Sequence, residues 1–130
     1  MRGARSRTVC DAISRTELRR KLRAHPGLIP VSIDLGRSRL YWQDFGQYHF
    51  YESFFHKSLD AFRALTRGPV SGFVTDMEVL REDWFRADAL PPSGFIFHAG
   101  RSRSTLLSRS LARSRENLVL SEPPPLSQIL

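Results

Sequence analysis

The sequence contains one cysteine, Cys10, in 130 residues, which excludes a disulfide framework and a cysteine zinc site. Its four histidines, His25, His49, His56 and His98, show no metal-ligand spacing with nearby acids. His49 and His56 are seven apart, which suits a solvated pair on one helix face better than a metal site. Lysine is nearly absent, with only Lys21 and Lys57 among 20 basic residues. No apolar run reaches the roughly 18 residues of a membrane-spanning helix. The arginine-rich N-terminus lacks the apolar stretch of a signal peptide, so a cytoplasmic location is expected by default. The tripeptide Arg-Ser-Arg occurs at 5–7, 37–39, 101–103 and 113–115, in unlike contexts and at no fixed period, which excludes a repeat fold.

What is present is arginine, unevenly placed, and a sizeable apolar fraction. The net charge of +7 divides into +6 over residues 1–24, −2 over 25–93 and +3 over 94–130. The basic character is thus an N-terminal arm plus one later segment. Arginine favours bidentate contacts to phosphate. Hydrophobic residues make up 41%, enough for a real core. The length points to one domain.

Residues 1–13 read as a disordered basic arm and residues 14–90 as a small α+β region. Ser14, ahead of Glu17 and Leu18, starts a short basic helix that ends at His25-Pro26-Gly27. Val31, Ile33 and Leu35 alternate with polar residues, which predicts a strand. Leu40 and Trp42 would form its hairpin partner across Gly36–Arg39. The aromatic group from Tyr41 to Phe55 reads as core, because aromatic side chains dominate burial in small domains. Stacking on nucleic acid is the other use of such residues, but the basic arm and the aromatics are separate segments. Phe54, Phe55, Leu59, Phe62 and Leu65 give a helical period within Glu52–Leu65. Thr75 and Glu78 form a capping-box pattern that predicts another helix N-terminus there. Pro91 to Gly94 is read as a linker.

Residues 94–122, GFIFHAGRSRSTLLSRSLARSRENLVLSE, carry the chemistry. The apolar run Phe95–Phe97 enters a loop with two arginines, a helical period spans Thr105–Arg113, and a second apolar run, Leu118–Leu120, ends near Glu122. Strand, loop, helix and strand in about 30 residues is the size of one βαβ unit. The expected fold is therefore α/β, with a P-loop-type parallel sheet begun by a βαβ unit at 94–121. A loop that opens a helix gathers backbone N–H groups at one point and makes an anion site. The loop is not a Walker A sequence: His98 and Arg103 stand at its two Gly positions and Ser104 at its Lys. That weakens a kinase or nucleotidase assignment.

The run Arg101, Ser102, Arg103, Ser104, Thr105 resembles the 5′-phosphosulfate loop of sulfotransferases. The wider string FIFHAGR-x-x-STLLSR, followed by VLSEPPPL, resembles a group of bacterial sulfotransferase-like proteins, as does LYWQDFGQYHFYESFFHKSL upstream. The resemblance covers most of residues 28–130, with its specific part at 94–125. It implies transfer of a sulfuryl group from 3′-phosphoadenosine 5′-phosphosulfate (PAPS) to an acceptor hydroxyl or amine, without a metal. It assigns Arg101 to the bridging oxygen of the leaving phosphate. It assigns Gly100, Arg101, Ser102, Arg103, Ser104, Thr105 and Leu106 to the 5′-phosphate, and Glu122 to the role of base. One departure stands out. The family pattern has Gly where this chain has Arg103. An Arg there either strains the loop, since Gly permits φ > 0, or adds a charge-assisted phosphate contact.

The family builds its acceptor pocket and 3′-phosphate clamp from later sequence. Residues 91–130 are thus expected to be the start of a longer sulfotransferase domain, with the missing C-terminal region of the same fold as partner. A fragment of this kind would be inactive or nearly so. The alternative is a basic module that binds nucleic acid or another polyanion, with binding steeply dependent on salt. The acceptor, whether small molecule or peptide, is not specified by the sequence.

Overall fold

A computed structural model describes residues 13–66 and 71–129. The N-terminal basic arm, apart from Ile13, lies outside the described residues. Helix α1 (Arg15–Ala24) starts at Ser14, whose hydroxyl accepts a hydrogen bond from the Glu17 N–H at 3.3 Å. It ends at His25, as the Pro-Gly that follows requires. Strands β1 (Leu28–Asp34) and β2 (Arg39–Asp44) form an antiparallel hairpin in which Asp34 faces Arg39. In its turn the Asp34 carboxylate accepts from the Arg37 N–H and guanidinium. The chain continues through α2 (Phe55–Thr66), β3 (Gly72–Asp76), a 3-10 turn at Met77–Arg81 and α3 (Asp83–Asp88). After a stretch without regular structure come α4 (Ser104–Leu111) and the single turn α5 (Pro124–Ser127).

The fold is mixed α/β, with a three-stranded antiparallel sheet in the order β1-β2-β3. Each face of the sheet is covered. Leu18 of α1 meets Ile33, Leu40, Trp42 and Val79 on one side, with Phe73, Trp84 and Phe85 packed around them. On the other side Phe45, Phe50 and Phe55 form a second cluster with Ile29, Val31, Leu59 and Phe62. The aromatic run is therefore core, as its composition predicts.

Three local expectations need correction. Val31 and Ile33 do not share a face: the pairing shifts between Pro30 and Ser32, and the extra residue sends Ile33 to the α1 side and leaves Val31 on the α2 side. Leu35 falls in the turn and is exposed. Thr75 does not cap a helix. It pairs with Leu40 in β3, and its buried hydroxyl accepts the Trp42 indole N–H at 3.0 Å. Satisfying that buried indole outweighed the local capping pattern.

The largest correction concerns 94–121. A helix forms there, at 104–111, but Phe95–Phe97 and Leu118–Leu120 enter no sheet among the described residues. The parallel pairing expected of them is not formed. Two short parallel strands bury too little apolar surface to stand alone, and here the existing sheet has both faces already filled by its own helices.

Candidate functional site

The loop before α4 is held in a strained backbone. Arg101 has φ 63° and Arg103 has φ 62° with ψ 21°, the left-handed region that β-carbons disfavour. Arg103 is the N-cap of α4 and makes no side-chain cap. Its carbonyl accepts from the N–H groups of Leu106 and Leu107 at 3.0 and 3.3 Å. The N–H groups of Ser104 and Thr105 have no acceptor among the described residues, which leaves donors at the positive end of the helix. Gly100, Arg101, Ser102, Arg103 and Leu106 are exposed, and Ser104 and Thr105 are half-buried.

The opposite face of α4 fixes the helix. Ser108 and Ala112, four apart and thus on one stripe, are its buried positions. The Ser108 hydroxyl donates to the Thr105 carbonyl at 3.0 Å. The Ala112 carbonyl is hydrogen-bonded to the His49 ring Nε2, tying the C-terminal end of α4 to the segment after β2. The loop's side of α4 is left open.

Glu122 is the third residue of 94–129 with a left-handed backbone, at φ 51°. Hydrogen bonds on both sides hold its segment to the N-terminal region. The Ser121 carbonyl accepts from the first N–H of α2, at Phe55, at 2.9 Å. The Gln128 amide oxygen accepts from the Ile33 N–H at 2.6 Å, and its nitrogen donates to the Ser32 hydroxyl at 3.3 Å. The Gln128 side chain thereby takes one backbone N–H of edge strand β1, at Ile33, that another strand would otherwise pair with.

Arg101, Arg103 and Glu122 make no hydrogen bond or ion pair with one another among the described residues. A cleft of about 450 Å³ runs along Thr16, Arg19, Arg20, Arg23 and Ala24, and one of about 300 Å³ lies between Gly46–Phe50 and Arg115–Leu118. Neither includes the loop or Glu122. The positive φ of Arg101 and Glu122 has no signal in the sequence, where only Gly or Asn marks such a site. That of Arg103 does have one, through the Gly at the corresponding place in the resembled motif.

The basic helix α1 uses its cations internally. Arg15 pairs with Glu82, Arg20 and Lys21 with Glu17, and Arg23 with Asp88. The Arg19 guanidinium sits 5.6 Å from the Trp84 ring centre. By contrast Arg101, Arg103, Arg109, Arg113 and Arg115 make no salt bridge among the described residues. No group of three metal-ligating side chains is found, and no helix is long and apolar enough to cross a membrane, both among the described residues. Compared with protein-family models, with curated proteins and with solved structures, the chain has no match.

Proposed function

We propose that the loop Gly100–Thr105 binds the 5′-phosphosulfate end of PAPS and that the chain is part of a sulfotransferase-like enzyme. The observation that carries this is the left-handed Arg103 immediately before α4. That conformation is the one a Gly in the resembled motif supplies, and the N–H groups of Ser104 and Thr105 that follow it have no acceptor among the described residues. Of the four non-glycine residues with positive φ among those described, Ser38 lies in the β1–β2 turn and the other three, Arg101, Arg103 and Glu122, fall in this region, which supports the same reading because such strain concentrates at functional sites.

In the proposed reaction an acceptor oxygen or nitrogen attacks sulfur in line. The sulfur–oxygen bond to the 5′-phosphate breaks, and the electron pair stays on that phosphate oxygen. The Arg101 guanidinium stabilises the charge developing there. The N–H groups of Ser104 and Thr105 and their hydroxyls hold the phosphate. Glu122 takes the acceptor's proton. A parallel sheet around the loop would form once Phe95–Phe97 and Leu118–Leu120 gain strand partners from further polypeptide. By itself the chain is then a weak phosphate binder with little or no transferase activity.

Titration with adenosine 3′,5′-bisphosphate tests this. Saturable binding is expected without Mg²⁺, weakened about tenfold or more by Arg101→Ala, the loss of one charge-assisted contact. A requirement for Mg²⁺ would favour a nucleotide hydrolase instead. Binding to DNA or RNA alone, falling steeply with salt, would favour a polyanion module.

A further inference from the structure

Phe95, Ile96 and Phe97 are 68, 43 and 91% exposed, and no backbone hydrogen bond joins residues 91–99 to any other described residue. The Phe95–Phe97 run has no regular structure and carries large apolar side chains beside unpaired backbone groups, a combination that templates pairing with another chain. Its sequence reads the same in both directions. The two phenyl ring centres are 6.3 Å apart, so the rings lie beside each other with Ile96 between them in sequence. From these features we infer that this run pairs antiparallel with the same run of a second copy, about a two-fold axis through Ile96. Phe95 then faces Phe97 of the other copy, and Ile96 faces its own equivalent. Such a contact is isologous and closes on itself. It puts four phenyl rings together, and aromatic cross-strand pairs are among the better ones in antiparallel sheets.

Exposed apolar side chains continue beyond that run. Leu106, Leu107, Leu111, Leu118 and Leu120 are also between 38 and 64% exposed. With the Phe-Ile-Phe run they offer on the order of the 800 Å² per partner that a standard interface buries. A lipid surface fits less well, because unpaired backbone is costly in hydrocarbon. The five unpaired arginines of 101–115 would bring like charge together in the dimer, so association strengthens as salt screens them. An acidic partner, an anionic membrane or a nucleic acid would show the opposite salt dependence. Under the sulfotransferase reading further polypeptide would take the same run, so the pairing is a property of this chain by itself and does not use the phosphate chemistry of the loop.

Sedimentation equilibrium of the chain, over about 1 to 100 µM and at low and high salt, tests the inference. A reversible monomer–dimer equilibrium is expected, tighter at high salt. Phe97→Asp and, separately, Ile96→Asp should each weaken it about tenfold or more. Neither side chain belongs to the two core clusters, so unchanged tryptophan fluorescence, from Trp42 and Trp84, is expected to show that both variants fold. Leu65→Asp, at an exposed position of α2, should leave the equilibrium unchanged. A monomer throughout, association beyond the dimer, or a dimer indifferent to both substitutions at 96 and 97 would each overturn the pairing. None of these outcomes bears on bisphosphate binding, which is measured at dilution where the monomer dominates.

Discussion

At the scale of single residues, Arg103 is the position where local chemistry and chain geometry conflict most directly. It holds φ 62° without a side-chain cap and without an ion pair among the described residues. Removing the β-carbon relieves about 1 kcal/mol or more of backbone strain. The greater freedom of Gly in the unfolded chain takes back about 0.4–1 kcal/mol. Arg103→Gly is therefore expected to leave stability equal or slightly raised, which urea unfolding measures. Its effect on bisphosphate affinity separates the two roles open to this side chain. A rise means that Arg103 obstructs the loop. A fall of about tenfold or more means that its guanidinium contacts phosphate, a contribution of roughly 1.5–3 kcal/mol.

At the scale of elements, the segment 121–128 depends on β1 more than on its own sequence. One turn of helix, α5, is too short to be stable alone. It is held because Gln128 caps the edge strand at Ser32 and Ile33 and because Ser121 satisfies the first N–H of α2. Replacing Gln128 by Ala leaves the Ile33 N–H without its acceptor. Amide hydrogen exchange at Ile33 should quicken, while Leu40, in the central strand β2 and paired with Thr75 of β3, should change little. The cost to stability is expected near 1 kcal/mol, in line with one lost hydrogen bond at a part-buried site. Unchanged exchange at Ile33 would mean that the segment does not rest on this contact. Elements also account for which sequence patterns were legible. Helix α1 and the hairpin turn are specified locally, by Ser14 at one end, Pro-Gly at the other and the Asp34 turn between strands. Strand β3 was missed because Thr75-Asp-Met-Glu satisfies a capping box equally well. Only the indole of Trp42, 33 residues away, decides in favour of a strand.

At the scale of the whole molecule, charge is arranged as paired cations on α1 and unpaired ones beside the candidate loop. Several pairs make stability depend on pH. A hydrogen bond from Arg20 holds the Glu17 carboxyl below its ordinary range, and the N–H and guanidinium of Arg37 do the same for Asp34. A depressed carboxyl contributes stability that is fully present above its ordinary pKa and is lost as pH falls through its folded-state value. Both groups are at the surface, so the effect of each is small and screened by salt. Burial pushes the Tyr48 phenol in the other direction, upward, so its contribution is present below the ordinary tyrosine range and lost as pH rises through and beyond it. The melting temperature is expected to be level near neutrality, to fall in acid below the ordinary carboxylate range and to fall again in strong alkali. Glu17→Gln should flatten part of the acid limb at low salt. An acid limb unaltered by this change would remove Glu17 from the account.

The sequence by itself determined the pieces that rest on local chemistry. These are α1 with its cap, the hairpin across Gly36–Arg39, the apolar period of α2, the aromatic core and the helix that follows the Arg-Ser-Arg-Ser-Thr loop. Tertiary structure alone decided the rest. The bulge at Pro30–Ser32 divides one strand between two cores, the Trp42 indole recruits Thr75 into β3, and Gln128 closes the β1 edge. It also left Phe95–Phe97 and Leu118–Leu120 without a sheet. A strand's apolar pattern states that it needs partners, but the partner's backbone satisfies that need, and a strand cannot supply it to itself.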